Sequence, residues 1–268
     1  LMALPSILNT LAADIKIFEI ELVAADSALA VAIEANRALF DDESTSIVKA
    51  LNLVVEMTTQ LWWKASKDGR FSRVDDGEDR LYFGVKDDLK LNFEPGQFIQ
   101  VNDNINRGMI EQMLALISAE NTEVAIDLFC GSGNLSLPLA KQFNQVIGVE
   151  GLASLVAAAN VNAHTNAIEN TQFLVADLND ATSLRKVSNK ISSIDLIVLD
   201  PPRNGAAAIM PWVAKSGAKQ IIYISCHPST MVRDADFLIR VGYKLKNLGV
   251  MDMFPHTAHV ESMALFEK

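Results

Sequence analysis

VAIDLFCGSGN, residues 124–134, decides the fold: a short apolar run, then Gly131 and Gly133 in a tight loop, then a helical pattern. Each part has a physical task. The run reads as a buried strand, the two glycines permit positive φ and close backbone approach, and the following helix presents free N–H groups at its start. Together they describe a nucleotide-type cofactor loop. Glu150 ends the next strand, QVIGVE, roughly 20 residues on, where an acidic side chain would bind ribose hydroxyls.

Outward from this loop, buried strands alternate with helices. The strands are VAIDLF, QVIGVE, TQFLVA, IDLIVLD and KQIIYIS; helices are expected near 135–143, 152–165, 181–190, 206–215 and 229–241. Short β-branched runs separated by helices are the mark of a parallel sheet covered on both faces. YKLKNLGVMDMF and HVESMALFEK, at 243–254 and 259–268, have no helix between them and suit an antiparallel pair at the sheet edge. The expectation is an α/β, Rossmann-like domain over residues 96–268, with a mostly parallel seven-stranded sheet.

Residues 1–95 have another rhythm and predict a smaller α+β domain. IKIFEIELV and LAVAIEAN read as strands joined at Asp26-Ser27. DDESTSIVKALNLVVEM opens with acidic and hydroxyl residues suited to a helix start. Strands follow at TTQLWWKAS, RLYFGV and LKLNF, and the polar run 67–80 reads as a loop. After a Pro-Gly turn, Ile105, Met109, Met113, Leu116 and Ile117 recur at helical spacing.

Composition narrows the function. Half of the 268 residues are hydrophobic, yet no apolar run is long enough to span a membrane. The net charge of −10 argues against a large non-specific nucleic-acid surface while leaving room for a local basic groove. The opening LMALPSILNTLAADIK lacks the marks of a signal peptide and reads as the interior of a longer protein. Two cysteines without a CxxC spacing give no metal-ligand set, and reduced thiols in a cytoplasmic protein are expected.

The chemistry gathers at strand ends. By itself the glycine loop suits NAD and S-adenosylmethionine equally, and Ser136 stands where GxGxxG has its third glycine. Asp177 follows TQFLVA, where it could contact an adenine amino group or simply be a solvated loop residue. Asp200-Pro-Pro-Arg203 ends the fourth strand; methyltransferases acting on planar nitrogens or rings often place such a turn there, and dehydrogenases have no need of one. Arg203 occupies the place of the aromatic residue that amino-methylating enzymes use. Cys226 ends the fifth strand just before a helix whose N-terminus is expected to lower its pKa, which favours a nucleophile over a buried small hydrophobe. Cys130, inside the loop, reads as packing. Glu261 sits between Val260 and Met263 in an apolar segment, so it is either a structural ion pair or a catalytic base. His256 and His259 are competing bases, and His259 could instead hold Glu261.

These segments resemble the RNA uracil-C5-methyltransferase family, above all the branch acting on uracil 1939 of 23S ribosomal RNA. FIQVN, DLFCGSGN, VIGVEG, LDPPRNGA, YISCHPSTMVRD and MDMFPHTAHVESMALF carry the likeness in order from about residue 96 to the end. The resemblance implies a class I S-adenosylmethionine-dependent methyltransferase fold. It implies Cys226 as the nucleophile, adding to carbon 6 of the ring, and Glu261 as the acceptor of the carbon 5 proton. Gln100, Phe129, Asn134, Glu150, Asp177 and Asp200 match the cofactor positions. Phe98 would stack on a flipped base or belong to a core, and Arg203 would meet phosphate or hold its loop. Members usually also carry an OB-like RNA-binding domain and an iron–sulfur cluster, expected here only in a preceding region absent from these residues. His227 replaces the asparagine more usual after the nucleophile. The implied partner is 23S ribosomal RNA, with no membrane, for a cytoplasmic monomer.

Overall fold

The computed structural model describes residues 4–66, 69–75, 77, 79–86, 88–120, 122–180, 182–184, 193–257 and 259–268. The chain divides into two compact units, one of Leu1–Phe83 with Asn92–Ile99, the other of Gly84–Leu91 with Gln100–Lys268. The expected boundary at 95/96 thus falls inside a segment that groups with the first unit.

In the first unit, β1 (Ile17–Ala24) and β2 (Leu29–Ala35) form an antiparallel hairpin, and β3 (Thr59–Lys64) runs parallel to β2. The parallel pairing needs a crossover, which α2 (Asp41–Val54) supplies; α1 (Leu4–Leu8) precedes the hairpin. The acidic start of α2 acts as expected: Glu43 accepts the Phe40 N–H at 2.9 Å and forks with Arg37. Ile33, Ile47, Leu51, Leu61 and Trp63 form the core here. The run expected as a loop contains a two-residue strand, β4 (Ser72–Arg73), paired with β3. Asp75 takes the Leu61 N–H at 2.9 Å and binds Arg73, so charged side chains hold this strand down. β5 (Leu81–Lys86) pairs with β6 (Leu89–Phe93), and the tip of this hairpin, Gly84–Leu91, groups with the second unit. At the Pro95-Gly96 turn, Gly96 has φ +80, a value only glycine adopts without strain.

The second unit is built on a seven-stranded sheet in the order β12-β13-β11-β10-β7-β8-β9. Its strands are β7 (Val124–Leu128), β8 (Gln145–Glu150), β9 (Thr171–Val175), β10 (Leu196–Leu199), β11 (Gln220–Ser225), β12 (Lys244–Met251) and β13 (Glu261–Glu267). The first five are parallel; β13 runs antiparallel between β11 and β12. The central strands are buried on both faces, as their unbroken apolar runs require. One core, with Met109, Met113, Leu137 and Ile222, lies on one face of the sheet; the other, with Ile197, Val213, Tyr223 and Leu238, lies on the opposite face.

The helices of this unit are α3 (Asp103–Ala115), α4 (Ser136–Ala140), α5 (Ala153–Thr165), α6 (Met210–Lys215) and α7 (Pro228–Arg240). α4 and α6 are shorter than the sequence suggests. Residues 206–209 are spent in a loop before Pro211 opens α6, and most of the helix expected at 181–190 lies outside the described residues. Among the described residues no helix is long and apolar enough to cross a membrane.

Candidate functional site

The order of the sheet dictates where a site can form. From β7 the chain winds outward through β8 and β9, then returns to β10 and β11 on the other side. The crevice between the carboxyl ends of β7 and β10 is therefore the switch point at which open α/β sheets bind ligands. Phe129 and the glycine loop leave β7 there, Glu150 ends β8, Asp200 follows β10 and Cys226 follows β11. Because β13 is antiparallel, its first residue, Glu261, arrives at this same edge.

The glycine loop is held by its neighbours. Phe129 adopts φ +66 and Gly131 and Gly133 also have positive φ, so the chain turns sharply off the strand. Phe129 and Cys130 both donate their N–H to the Val149 carbonyl. Glu150 accepts the Gly131 N–H at 3.2 Å on one oxygen and the Leu152 N–H at 3.0 Å on the other. Asn134 exchanges two amide hydrogen bonds with Asn106 of α3, at 2.9 and 3.0 Å, and Asn162 of α5 donates to the Ser132 carbonyl. Asn106 and Asn162 carried no signal in sequence beyond being polar on otherwise apolar helix faces; burial is what exposes their task.

Asp127, also missed, is fully buried at the end of β7. Ser136 donates to its Oδ2 at 2.5 Å, while Oδ1 is buried without a partner. Burial, with Asp200 and Glu150 nearby, pushes its carboxyl up to about 7. A buried acceptor with nothing to accept is costly and marks a place for a donor. A Cβ built on Gly131 meets open space, so room lies over the loop. Acidic acceptors, an open glycine turn and an orphaned carboxylate oxygen fit an adenosyl cofactor carrying hydroxyl and amino donors.

The reacting end is acidic. Cys226 is partly exposed, and burial together with Glu261 and Asp200 raises its pKa, opposed in part by Arg203. The expected lowering is therefore reversed: the helix start is present, but the fold partly buries the thiol and sets two carboxylates near it. Glu261 is buried, pushed up to about 7 by burial and by Asp200, and makes no side-chain hydrogen bond or ion pair among the described residues. Burial holds Asp200 up to about 6. His256 and His259 are exposed, and His259 packs edge-on against Phe254 with ring centroids 6.1 Å apart.

The remaining candidates divide. Gln100 is half-buried just before α3, and Asp177 is exposed, with Oδ1 closing a turn on Asn179. Arg203 is exposed near Cys226, and its carbonyl accepts from Thr230. Phe98 belongs to the first unit and is 76 % exposed, so it is no core residue. Cys130 is buried, as expected for packing. No group of three metal-ligating side chains occurs among the described residues.

Comparisons with known proteins follow the same lines. The family model described as tRNA (Uracil-5-)-methyltransferase matches residues 4–268. A 23S rRNA (uracil(1939)-C(5))-methyltransferase RlmD from Shewanella sediminis is 40% identical over 97% of this chain and 57% of its own length. Its counterpart from Aeromonas salmonicida is 48% identical over 68% of this chain and 41% of its own. The chain thus spans little more than half the length of such relatives. Among solved structures, a Pyrococcus abyssi tRNA (uracil-54, C5)-methyltransferase in complex with S-adenosyl-L-homocysteine superposes with a TM-score of 0.73 at 21% identity. It covers 93% of this chain and 59% of that one. At that identity the likeness speaks for the fold, that of class I S-adenosylmethionine-dependent methyltransferases.

Proposed function

This chain belongs to the tRNA (uracil-5-)-methyltransferase family, and from that premise we propose that its protein methylates carbon 5 of a uridine in 23S ribosomal RNA, using S-adenosylmethionine. The curated relatives named for that RNA support the choice of substrate. One observation carries the chemistry: Glu261 is buried, without an ion-pair partner among the described residues, at the strand edge where Cys226 leaves β11 and close enough to raise its thiol. A structural carboxylate would have a partner; a base in waiting has none.

The Mechanism follows from what carbon 5 of uracil lacks, which is nucleophilicity. The Cys226 thiolate bonds to carbon 6, placing electron density on carbon 5. When bound, S-adenosylmethionine supplies a methyl group on a positively charged sulfur. Glu261 then takes the carbon 5 proton, the ring double bond re-forms, and the Cys226–carbon 6 bond breaks. Asn134, Glu150, Asp177, Asp200, Gln100 and the backbone at Phe129 would hold the cofactor. A cation placed beside Asp200 would also offset the carboxylates that hold the Cys226 thiol up.

The test is a covalent complex. The full natural protein should form a stable adduct with 5-fluorouridine-containing 23S RNA in the presence of S-adenosylmethionine, linked through Cys226 by mass spectrometry. An adduct on transfer RNA and none on 23S RNA would reassign the substrate, and no adduct on either would overturn the reading.

A further inference from the structure

Asp234 lies wholly inside the second unit, on α7, eight residues after Cys226. Its carboxylate accepts the Ala206 N–H and the Tyr223 hydroxyl, each at 2.7 Å, on Oδ2, and Arg233 on Oδ1 at 2.8 Å. Three separate parts of the chain meet there: the loop after β10, strand β11 and the helix after the nucleophile. Two neighbours add to it. Arg233 donates to the Asn204 carbonyl at 2.9 Å, and the Thr230 hydroxyl is shared between the carbonyls of His227 and Arg203. Residues 203, 204 and 206 are thus all gripped through their main chain by little more than one turn of α7.

Gly205 shows how close the grip is. It has φ +76, and a Cβ there would come within 2.6 Å of both Arg233 Nη2 and Asp234 Oδ2 and 3.0 Å of Thr230. The loop lies flat on the helix, and Asp200 begins that loop.

We infer that Asp234 is a positioning residue: with Arg233 and Thr230 it clamps the 200–206 loop to α7 and so fixes Asp200 beside Cys226. The inference rests on the proposed reading, in which Cys226 attacks carbon 6. Asp234 touches neither substrate nor cofactor; it acts through Asp200, and it leaves the thiol and Asp200 at a set separation before any ligand arrives. Main-chain anchoring suits this task, since it leaves the side chains of Asp200 and Arg203 at liberty to face the crevice.

Two readouts test it in the full natural protein. The first is the pH dependence of Cys226 alkylation by iodoacetamide, read by mass spectrometry so that buried Cys130 does not interfere. The charged groups acting on this thiol are Glu261, Asp200 and Arg203. Asp234→Asn should lower the alkylation midpoint by about half a pH unit, as Asp200→Asn should, because a loosened loop withdraws the Asp200 charge. The double variant should go no further than Asp200→Asn alone. The second readout is adduct formation on 5-fluorouridine RNA, which Asp234→Asn should slow by about tenfold or more. Should Asp234→Asn not fold, Arg233→Lys and Thr230→Val cut the same main-chain ties from the solvent side and carry the same expectation. Native-like variants with an unmoved midpoint and an unslowed adduct would overturn the inference. An inert wild-type protein on RNA would instead sink the methyltransferase reading, while the alkylation comparison, which needs no RNA, still judges the clamp.

Discussion

Cys226 directly follows Ser225 and Glu261 directly precedes Ser262, and Ser225 faces Ser262 in the last paired rung of β11 and β13. Cys226 lies in the bend just after β11 and Glu261 opens β13, so the pairing of these two strands brings both to one edge of the sheet. The Ser262 hydroxyl adds a tie to the Ser225 carbonyl at 3.1 Å.

The pair predicts two different failures. Cys226→Ala should reduce methylation by about a thousandfold or more while binding of S-adenosylhomocysteine, measured by calorimetry, stays within a few-fold of wild type. Glu261→Gln should still transfer the methyl group and then accumulate protein covalently held on RNA. Free release of methylated product by that variant would remove Glu261 from its role.

Activity should climb with pH through about 7 and go on rising toward the range of the thiol. The Glu261 carboxyl is pushed up to about 7 and the Cys226 thiol is raised as well, and both must lose a proton to work. Asp200 contributes to both shifts, so Asp200→Asn should move the midpoint of kcat/KM to lower pH, whatever it does to the maximum. A midpoint that stays put would show that Asp200 does not act on the pair.

Stability should fall as pH rises. Asp127 is pushed up to about 7 when folded, against about 3.9 for an unfolded aspartate. Between those values the folded chain binds a proton that the unfolded chain releases, so the contribution is present at low pH and lost as pH rises through the folded value. Asp127→Asn should flatten this slope between roughly pH 4 and 7, as read from urea unfolding at several pH values.

Asn106→Ala leaves the amide of Asn134 without its partner on α3. Loss of two buried amide bonds should cost about 1–3 kcal/mol, and affinity for S-adenosylhomocysteine should drop along with the melting temperature. Full affinity in a destabilised variant would separate the Asn pair from the cofactor loop.

Gly148→Ala tests packing beneath the loop. A Cβ on β8 at that position would collide with the Phe173 ring and come within 2.9 Å of Cys130 Sγ. Overpacking of this kind costs about 1–3 kcal/mol, and adding Cys130→Ala should return part of the loss in a denaturation experiment.

Much of this was legible in the chain itself. The central strands announce themselves because a strand buried on both faces needs a long apolar run, which β10 and β11 have and which Asp127 alone interrupts in β7. Cys226, Asp200 and Glu261 could be singled out because each is a reactive or charged side chain at the end of such a run. Other features belong only to the fold. β4 is written by its partner strand and by the Asp75–Arg73 pair rather than by any apolar pattern of its own. Asp234 reads as an ordinary polar position on an amphipathic helix until Tyr223 and Ala206 are brought to it. The expected acidity of the thiol is not found because the helix start is local, whereas the burial that raises it, and the carboxylates 26 and 35 residues away along the chain, exist only in the fold.

β13 is the last strand of this chain in sequence, yet it fills an interior slot between β11 and β12. Until residues 261–267 are in place, β11 lacks its neighbour on that side and β12 has no strand to pair with. A proteolytic nick between residues 252 and 260 should therefore loosen two strands at once and, under the proposed reading, part the thiol from its proton acceptor.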